Sequence, residues 1–325
     1  MNNGYSKPKA GIPRRRVLKG AIATSMGALA AGWSASGSRA EGAAVASGLR
    51  GNIRHSIVSW PYQLFGDKWE LPKLCRVARE LGAGSVELVG PEGWGELAKH
   101  GLDCAIAPNG MPGAPFVKGL NNPAYQQEVI ETTHKTIEAA AEAPVNVGAV
   151  IAFTGFAYKD VTNPAAGTID PEAGARNTVE GLKKLAALAE KHDIEIHVEH
   201  LNSRVENDDF RGHPGYQGDH IDYCAEIIRC VGSPRVKLLF DIYHVQIMDG
   251  DLIARIKEFG TDLIGHIHTA GVPGRGEMDA KQELQYAPIM QALVDVGYKG
   301  YVGHEFIPTR DPKTGLREAI AVCDV

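Results

Sequence analysis

The sequence predicts an α/β protein of the (β/α)8 barrel class, and three observations predict it. After about residue 53, strand-like apolar runs alternate with helix-like periodicity in the repeating order strand then helix. Four runs in the second half, IEIHVEH, KLLFDIYH, IGHIHTAG and YVGHEFIP, carry Glu199, Asp241, His268 and Glu305 at or near their C-terminal ends. These four residues are 42, 27 and 37 positions apart, close to the roughly 30 residues of one strand-plus-helix unit in a barrel of about 250 residues. The strand bodies are rich in Val, Ile and Leu, as strands covered on both faces require.

Taken in order, residues 53–60 predict strand 1, and a helix over 71–81 stops at Gly82. Residues 85–89, 103–108 and 145–153 predict strands 2, 3 and 4. The helix over about 123–143 is expected to be the longest. Another opens at Asp170-Pro171-Glu172, where a capping side chain precedes proline at the first helical position. The four quoted runs are strands 5 to 8, separated by helices near 219–230, 250–259 and 286–296. The last helix, near 316–325, is short and closes the barrel. Between strand 5 and its helix lies NSRVENDDFRGHPGYQGD, residues 202–219, far longer than the 2 to 6 residues usual for such a loop. With Asn202, Glu206, His213, Tyr216 and Gln217 it is expected to cover a bound molecule, a flexible insertion being the alternative.

At the C-terminal ends of parallel barrel strands, side chains from distant positions converge on one rim, where such barrels keep their chemistry. One Asp or Glu after a strand is usually a helix cap, and one strand histidine is usually a bonded core residue. Four in register, Glu199, Asp241, His268 and Glu305, form a ligand set of three carboxylates and one imidazole. That set suits a divalent Mn²⁺, Mg²⁺ or Co²⁺ ion better than thiolate-rich structural zinc. His266 and His304 are expected to point away from the interior or to lie behind the ligands. A hydrogen α to a carbonyl is weakly acidic, so a cation that stabilises an enediolate beside a carboxylate base suits proton transfer between adjacent carbons.

The first 40 residues hold seven Lys or Arg and no acid, then an apolar block over 20–33, and end at Ser38-Arg39-Ala40. This reads as an export signal. Arg14-Arg15-Arg16-Val17-Leu18-Lys19 resembles the twin-arginine pattern, and the apolar block is too short for a membrane-spanning anchor. The reading implies residues 1–40 as signal, 41–52 as linker and 53–325 as barrel, with export machinery as a partner and a periplasmic or extracytoplasmic location. Beyond the signal, 27 basic residues face 39 acidic ones, a net charge of −12 that argues against a nucleic-acid partner. Five cysteines with no CxxC pair predict buried free thiols.

The segments VGSPRVKLLFDIYHVQIMDGD, GHIHTAGVPGRGEMD and GYVGHEFIPTRDP resemble the hydroxypyruvate isomerase group of the xylose isomerase-like TIM barrel superfamily, over residues 56–325. The resemblance implies a divalent metal held by Glu199, Asp241, His268 and Glu305, with Glu199 and Glu305 also the catalytic acid/base pair. It further implies substrate contacts from His244 and Arg275, with Glu206 a looser match; Asn202 joins them from the loop. Glu277 is a candidate support for Arg275. The implied activity is isomerisation of a small hydroxy-keto acid or sugar, of the hydroxypyruvate to tartronate semialdehyde type, in a chain able to form a homo-oligomer. Hydroxypyruvate isomerases often carry Gln where this chain has His268, whereas ketose 3-epimerases carry His, so an epimerase is the alternative. A metal-dependent endonuclease would need further ligands and a basic groove. A non-catalytic carbohydrate-binding protein would not need two opposed carboxylates.

Residues 1–40 are expected to be absent from the mature protein, and replacing Arg14 and Arg15 by Lys should leave precursor in the cytoplasm. N-terminal sequencing of cell fractions tests this, and an intact N-terminus with no shorter species outside the cytoplasm contradicts it.

Overall fold

The computed structural model describes residues 48–206 and 210–325. The expected signal over 1–40, and residues 41–47 of the expected linker, lie outside the described residues. Among the described residues no helix is long and apolar enough to cross a membrane.

Eight strands run β1 (Arg54–Val58), β2 (Ser85–Glu87), β3 (Cys104–Ala107), β4 (Val147–Phe153), β5 (Glu195–Glu199), β6 (Val236–Asp241), β7 (Ile264–Thr269) and β8 (Tyr301–His304). The α-helices are α1 (Ser59–Leu64), α2 (Leu71–Glu80), α3 (Trp94–Lys99), α4 (Pro123–Ala141), α5 (Pro171–His192), α6 (Ile221–Val231), α7 (Ile242–Met248), α8 (Leu252–Leu263), α9 (Tyr286–Asp295) and α10 (Pro312–Cys323). The strands form one parallel sheet in the order β2-β1-β8-β7-β6-β5-β4-β3, a nearly closed barrel.

Closure is thinnest between β2 and β3. There one bridge pairs Ser85 with Asp103, and the Ala105 N–H donates to the Ser85 hydroxyl rather than to a main-chain carbonyl. Residues Arg54 to Ile57 pair in register with Tyr301 to His304, and α10 runs 12 residues behind Asp311, whose carboxylate accepts from the Thr314 N–H. Of the long helices α5, at 22 residues, exceeds α4 at 19, which reverses the expectation. The Asp170 cap and Pro171 start of α5 are as expected. Helices α1, α3 and α7 were not anticipated; they span only 6, 6 and 7 residues, too short to impose a legible period.

The main core lies between sheet and helices. A smaller cluster, Ile106, Ala149, Ile151, Phe153 and Leu239, fills the barrel interior on the β3 to β6 side, with Leu201 and Tyr216 above it. Register places these residues on the face that carries Glu199, since Phe153 and Leu239 are its cross-strand partners. The opposite side of the interior is polar, holding Glu87, His266 and His268. Four of the five cysteines are buried and all five are free thiols, as expected.

Several buried histidines are kept neutral. Burial pushes His55 and His200 down to about 4 and His213 down to about 3. A base whose pKa is lower in the folded state binds its proton more readily when unfolded. The stability contributed by neutrality is therefore complete above about pH 6.5 and is lost as pH falls toward 4. Thermal denaturation midpoints should fall through that window, and a midpoint flat from about pH 7 to 4 would contradict neutral burial.

Candidate active site

Glu199 ends β5, Asp241 ends β6, His268 is the penultimate residue of β7, and Glu305 follows β8. All four are buried, and one ligand atom from each lies within 4.8 Å of the others. Asp241 is also the N-cap of α7: one of its oxygens accepts from the Tyr243 N–H at 2.8 Å and the His244 N–H at 3.4 Å, leaving Oδ2 for the cluster. His268 Nδ1 is 3.0 Å from Glu305 Oε2 and 3.6 Å from Glu199 Oε1, at short range but not aligned for a hydrogen bond. Its Nε2 faces Glu87 Oε1 at 2.8 Å.

Arg275 enters from the PGR turn with φ of 55°. A left-handed backbone costs a non-glycine residue on the order of 1–3 kcal/mol, and the surroundings must hold it there. Its guanidinium donates to Glu305 Oε2 at 2.5 Å, to Asp241 Oδ2 at 3.3 Å and to the Phe210 carbonyl at 2.6 Å. It also lies over Trp60 and Tyr243, 5.3 and 5.5 Å from the ring centres. Glu277 does not reach Arg275; its oxygens accept from Thr309 and from the Arg310 N–H.

The two glutamates differ. Glu305 has both oxygens engaged, one by the Trp60 indole N–H at 2.8 Å and the other by Arg275. Burial would raise its carboxyl, but Arg275 and His268 outweigh burial and hold it well below the usual range. Glu199 has Oε1 without a hydrogen-bond partner, and burial raises its carboxyl. Burial, reinforced by Glu305 and Glu199 against Arg275, pushes Asp241 up to about 7.

His244 accepts at Nδ1 from both the main-chain and side-chain N–H groups of Asn202, at 3.1 and 2.7 Å. Its proton is therefore on Nε2, which lies 3.5 Å from Asp241 Oδ2 and has no hydrogen-bond partner. Asn202 also donates to the Arg211 carbonyl and accepts from the Val205 N–H, so it reaches the site through His244. Glu206 is exposed on the loop, outside the buried cluster. Tyr216 and Gln217 pin that loop: the Tyr216 hydroxyl donates to the Glu199 carbonyl, and the Gln217 amide bonds Asn121 and the Ile169 carbonyl.

Sequence reasoning missed Trp60 and Glu87. Trp60 had no signal beyond ending a predicted strand; Glu87 had one, a carboxylate inside an apolar strand. His266 lies on the face of His268, two residues before it, and reaches Glu87 at 2.9 Å. His304 points the other way, to Thr269 and His55. Burial would raise Glu87, but the charges and hydrogen bonds of His266 and His268 bring it down to about 2.

With Nε2 donating to Glu87, His268 Nδ1 either carries a second proton or turns a lone pair toward two carboxylates. The second arrangement calls for a cation between them. With His268 neutral, three buried carboxylates against one guanidinium leave two negative charges, and charges out of water need compensation. The donor set, the charge and the partnerless Glu199 and His268 atoms fit a divalent ion held by Glu199, Asp241, His268 and Glu305.

A parallel barrel with this cluster on its C-terminal rim defines the class. Residues 75–324 match the xylose isomerase-like TIM barrel family, to which the chain belongs. It is 31% identical over 262 residues to the Homo sapiens protein named "Putative hydroxypyruvate isomerase", covering 80% of this chain and 81% of that one. A 2-oxo-tetronate isomerase of Cupriavidus necator is 32% identical over 176 residues, 52% of this chain and 64% of that one. The crystal structure of an AP endonuclease, family 2, from Brucella melitensis superposes with a TM-score of 0.68 at 26% identity, over 81% of this chain and 97% of that one.

Gly303, the cross-strand partner of His268, leaves the room that Glu87 occupies. A Cβ there would stand 2.2 Å from Glu87 Oε1 and 2.9 Å from His268 Cδ2. Gly303→Ala should destabilise the fold by about 1–3 kcal/mol in denaturant titration, the usual cost of overpacking. An unchanged midpoint would contradict the packing described.

Proposed function

We propose that the protein is a divalent-cation-dependent isomerase that moves a proton between adjacent carbons of a small hydroxy-keto acid or sugar, of the hydroxypyruvate isomerase type. The relatives named hydroxypyruvate isomerase and 2-oxo-tetronate isomerase support an isomerase. The observation that carries the mechanism is the asymmetry of the glutamates: Glu199 has a partnerless oxygen, while Trp60 and Arg275 pin Glu305.

A Mn²⁺, Mg²⁺ or Co²⁺ ion held by Glu199, Asp241, His268 and Glu305 would supply positive charge that stabilises the enediolate oxygens. Glu199 takes the proton from the hydroxyl-bearing carbon and returns it to the neighbouring carbon, while the hydroxyl proton passes to the former carbonyl oxygen, so no proton is gained or lost overall. His244 donates its Nε2 proton as a hydrogen bond to a substrate oxygen, oriented by Asn202. Arg275 holds Glu305 and faces the same space. Trp60, in edge contact with Phe65 and Phe210, helps to keep water out.

Epimerisation would use the same residues but would require Glu305 to deliver a proton from the other face, breaking a bond to Trp60 or Arg275. That only one of the two glutamates has a buried oxygen without a hydrogen-bond partner favours isomerisation. Export by the twin-arginine route, placing the enzyme outside the cytoplasm, is part of the same proposal and rests on residues 14–40.

Incubating chelator-treated protein in D₂O with short keto acids and ketoses, with and without added Mn²⁺, Mg²⁺ or Co²⁺, tests the reaction class. Deuterium should enter a carbon next to the carbonyl only with cation present, and Glu199→Gln should slow exchange by roughly 10² to 10⁴. Near-normal exchange in Glu199→Gln, or equal exchange without cation, would sink the mechanism. Inversion at a single carbon would assign the epimerase.

A further inference from the structure

We infer that Glu87 is a positioning residue that fixes His268 as a cation ligand through Nδ1; the inference rests on the cation site proposed above. Glu87 comes from the end of β2, three strands from β7 in the sheet order, and is fully buried. Its Oε1 receives His268 Nε2 at 2.8 Å and His266 Nε2 at 2.9 Å. A carboxylate only accepts, so both imidazoles must carry their proton on Nε2. For His268 that leaves Nδ1 as the atom able to bind a cation, and Nδ1 is the atom facing Glu305 and Glu199. A carboxylate behind a ligating histidine fixes the ring's orientation and raises its basicity, and its loss typically costs roughly 10–100-fold in metal affinity.

Three features built around Glu87 serve this placement. Gly303 has no side chain where a Cβ would stand 2.2 Å from Glu87 Oε1. Leu88 turns the chain immediately after Glu87 with φ of 53°, a conformation that bulky residues rarely adopt. His266, on the same face of β7, holds the carboxylate from a second direction. Glu87, His266 and His268 are also close enough together to be read as ligands of a second ion. The distances of 2.8 and 2.9 Å are those of hydrogen bonds through a shared oxygen, which favours the positioning role.

Calorimetric titration of Mn²⁺ into chelator-treated full-length protein and its Glu87→Gln variant tests the inference. It is paired with ¹⁵N-histidine NMR of the Mg²⁺-loaded protein. The wild type should bind one ion, with His268 protonated at Nε2 and ligating through Nδ1, and Glu87→Gln should bind roughly 10–100-fold more weakly. Equal affinity in wild type and folded variant would overturn the positioning role alone. Two ions in the wild type and one in the variant would make Glu87 a ligand and overturn it as well. No ion in the wild type would take the proposed function down with it. Should Glu87→Gln fail to fold, the wild-type spectrum still decides, because ligation through Nε2 overturns the inference.

Discussion

Three carboxylates sealed at the top of the barrel with one guanidinium, two negative charges in excess while His268 is neutral, are the constraint around which this structure is arranged. Glu199, Asp241 and Glu305 bring three carboxylates together out of water, and Arg275 answers one of them. Removing ions from water costs several kcal/mol each unless the attraction and hydrogen bonding are well made. The molecule responds by raising the proton affinity of Glu199 and Asp241 and by holding Arg275 in a strained backbone conformation. A divalent cation matches the deficit in both charge and ligand type.

The barrel supplies the rigidity that such a cluster needs. Its interior is divided: apolar side chains from β3, β4 and β6 fill one side, while Glu87, His266 and His268 occupy the other. The apolar side keeps water from the carboxylates. The polar side links the rim to the interior through hydrogen bonds that set which ring atom of His268 faces the ligands. Asp241 serves twice, since capping α7 with one oxygen fixes the other toward the cluster and starts the helix that carries His244. Asn202 then orients His244, so the long loop acts on the site through that histidine and through the Phe210 carbonyl, which accepts from Arg275.

Much of this was legible in the residues. Apolar runs ending in Glu199, Asp241, His268 and Glu305 located strands 5 to 8 and the rim cluster, because a barrel strand's inward C-terminal position and its polar residue type coincide. The capped start of α5 at Asp170-Pro171 was legible for the same reason, local chemistry matching local geometry. What escaped depended on partners far along the chain. Glu87 bonds residues 179 and 181 positions away, and Trp60 bonds Glu305 across 245. His266 lies behind the ligands, one of the two placements expected for it, because residues two apart on a strand share a face and both His266 and His268 reach Glu87. The loop residues Tyr216 and Gln217 look like ligand-binding chemistry in the sequence, yet the fold uses them to fasten the loop.

The most direct test of charge compensation by a bound cation is a crystal structure of manganese-loaded protein with anomalous scattering measured for manganese. One peak is expected, bounded by Glu199, Asp241, Glu305 and His268 Nδ1, at oxygen and nitrogen distances suited to a divalent ion. A peak elsewhere, or none while the four side chains keep their present positions, would contradict the account.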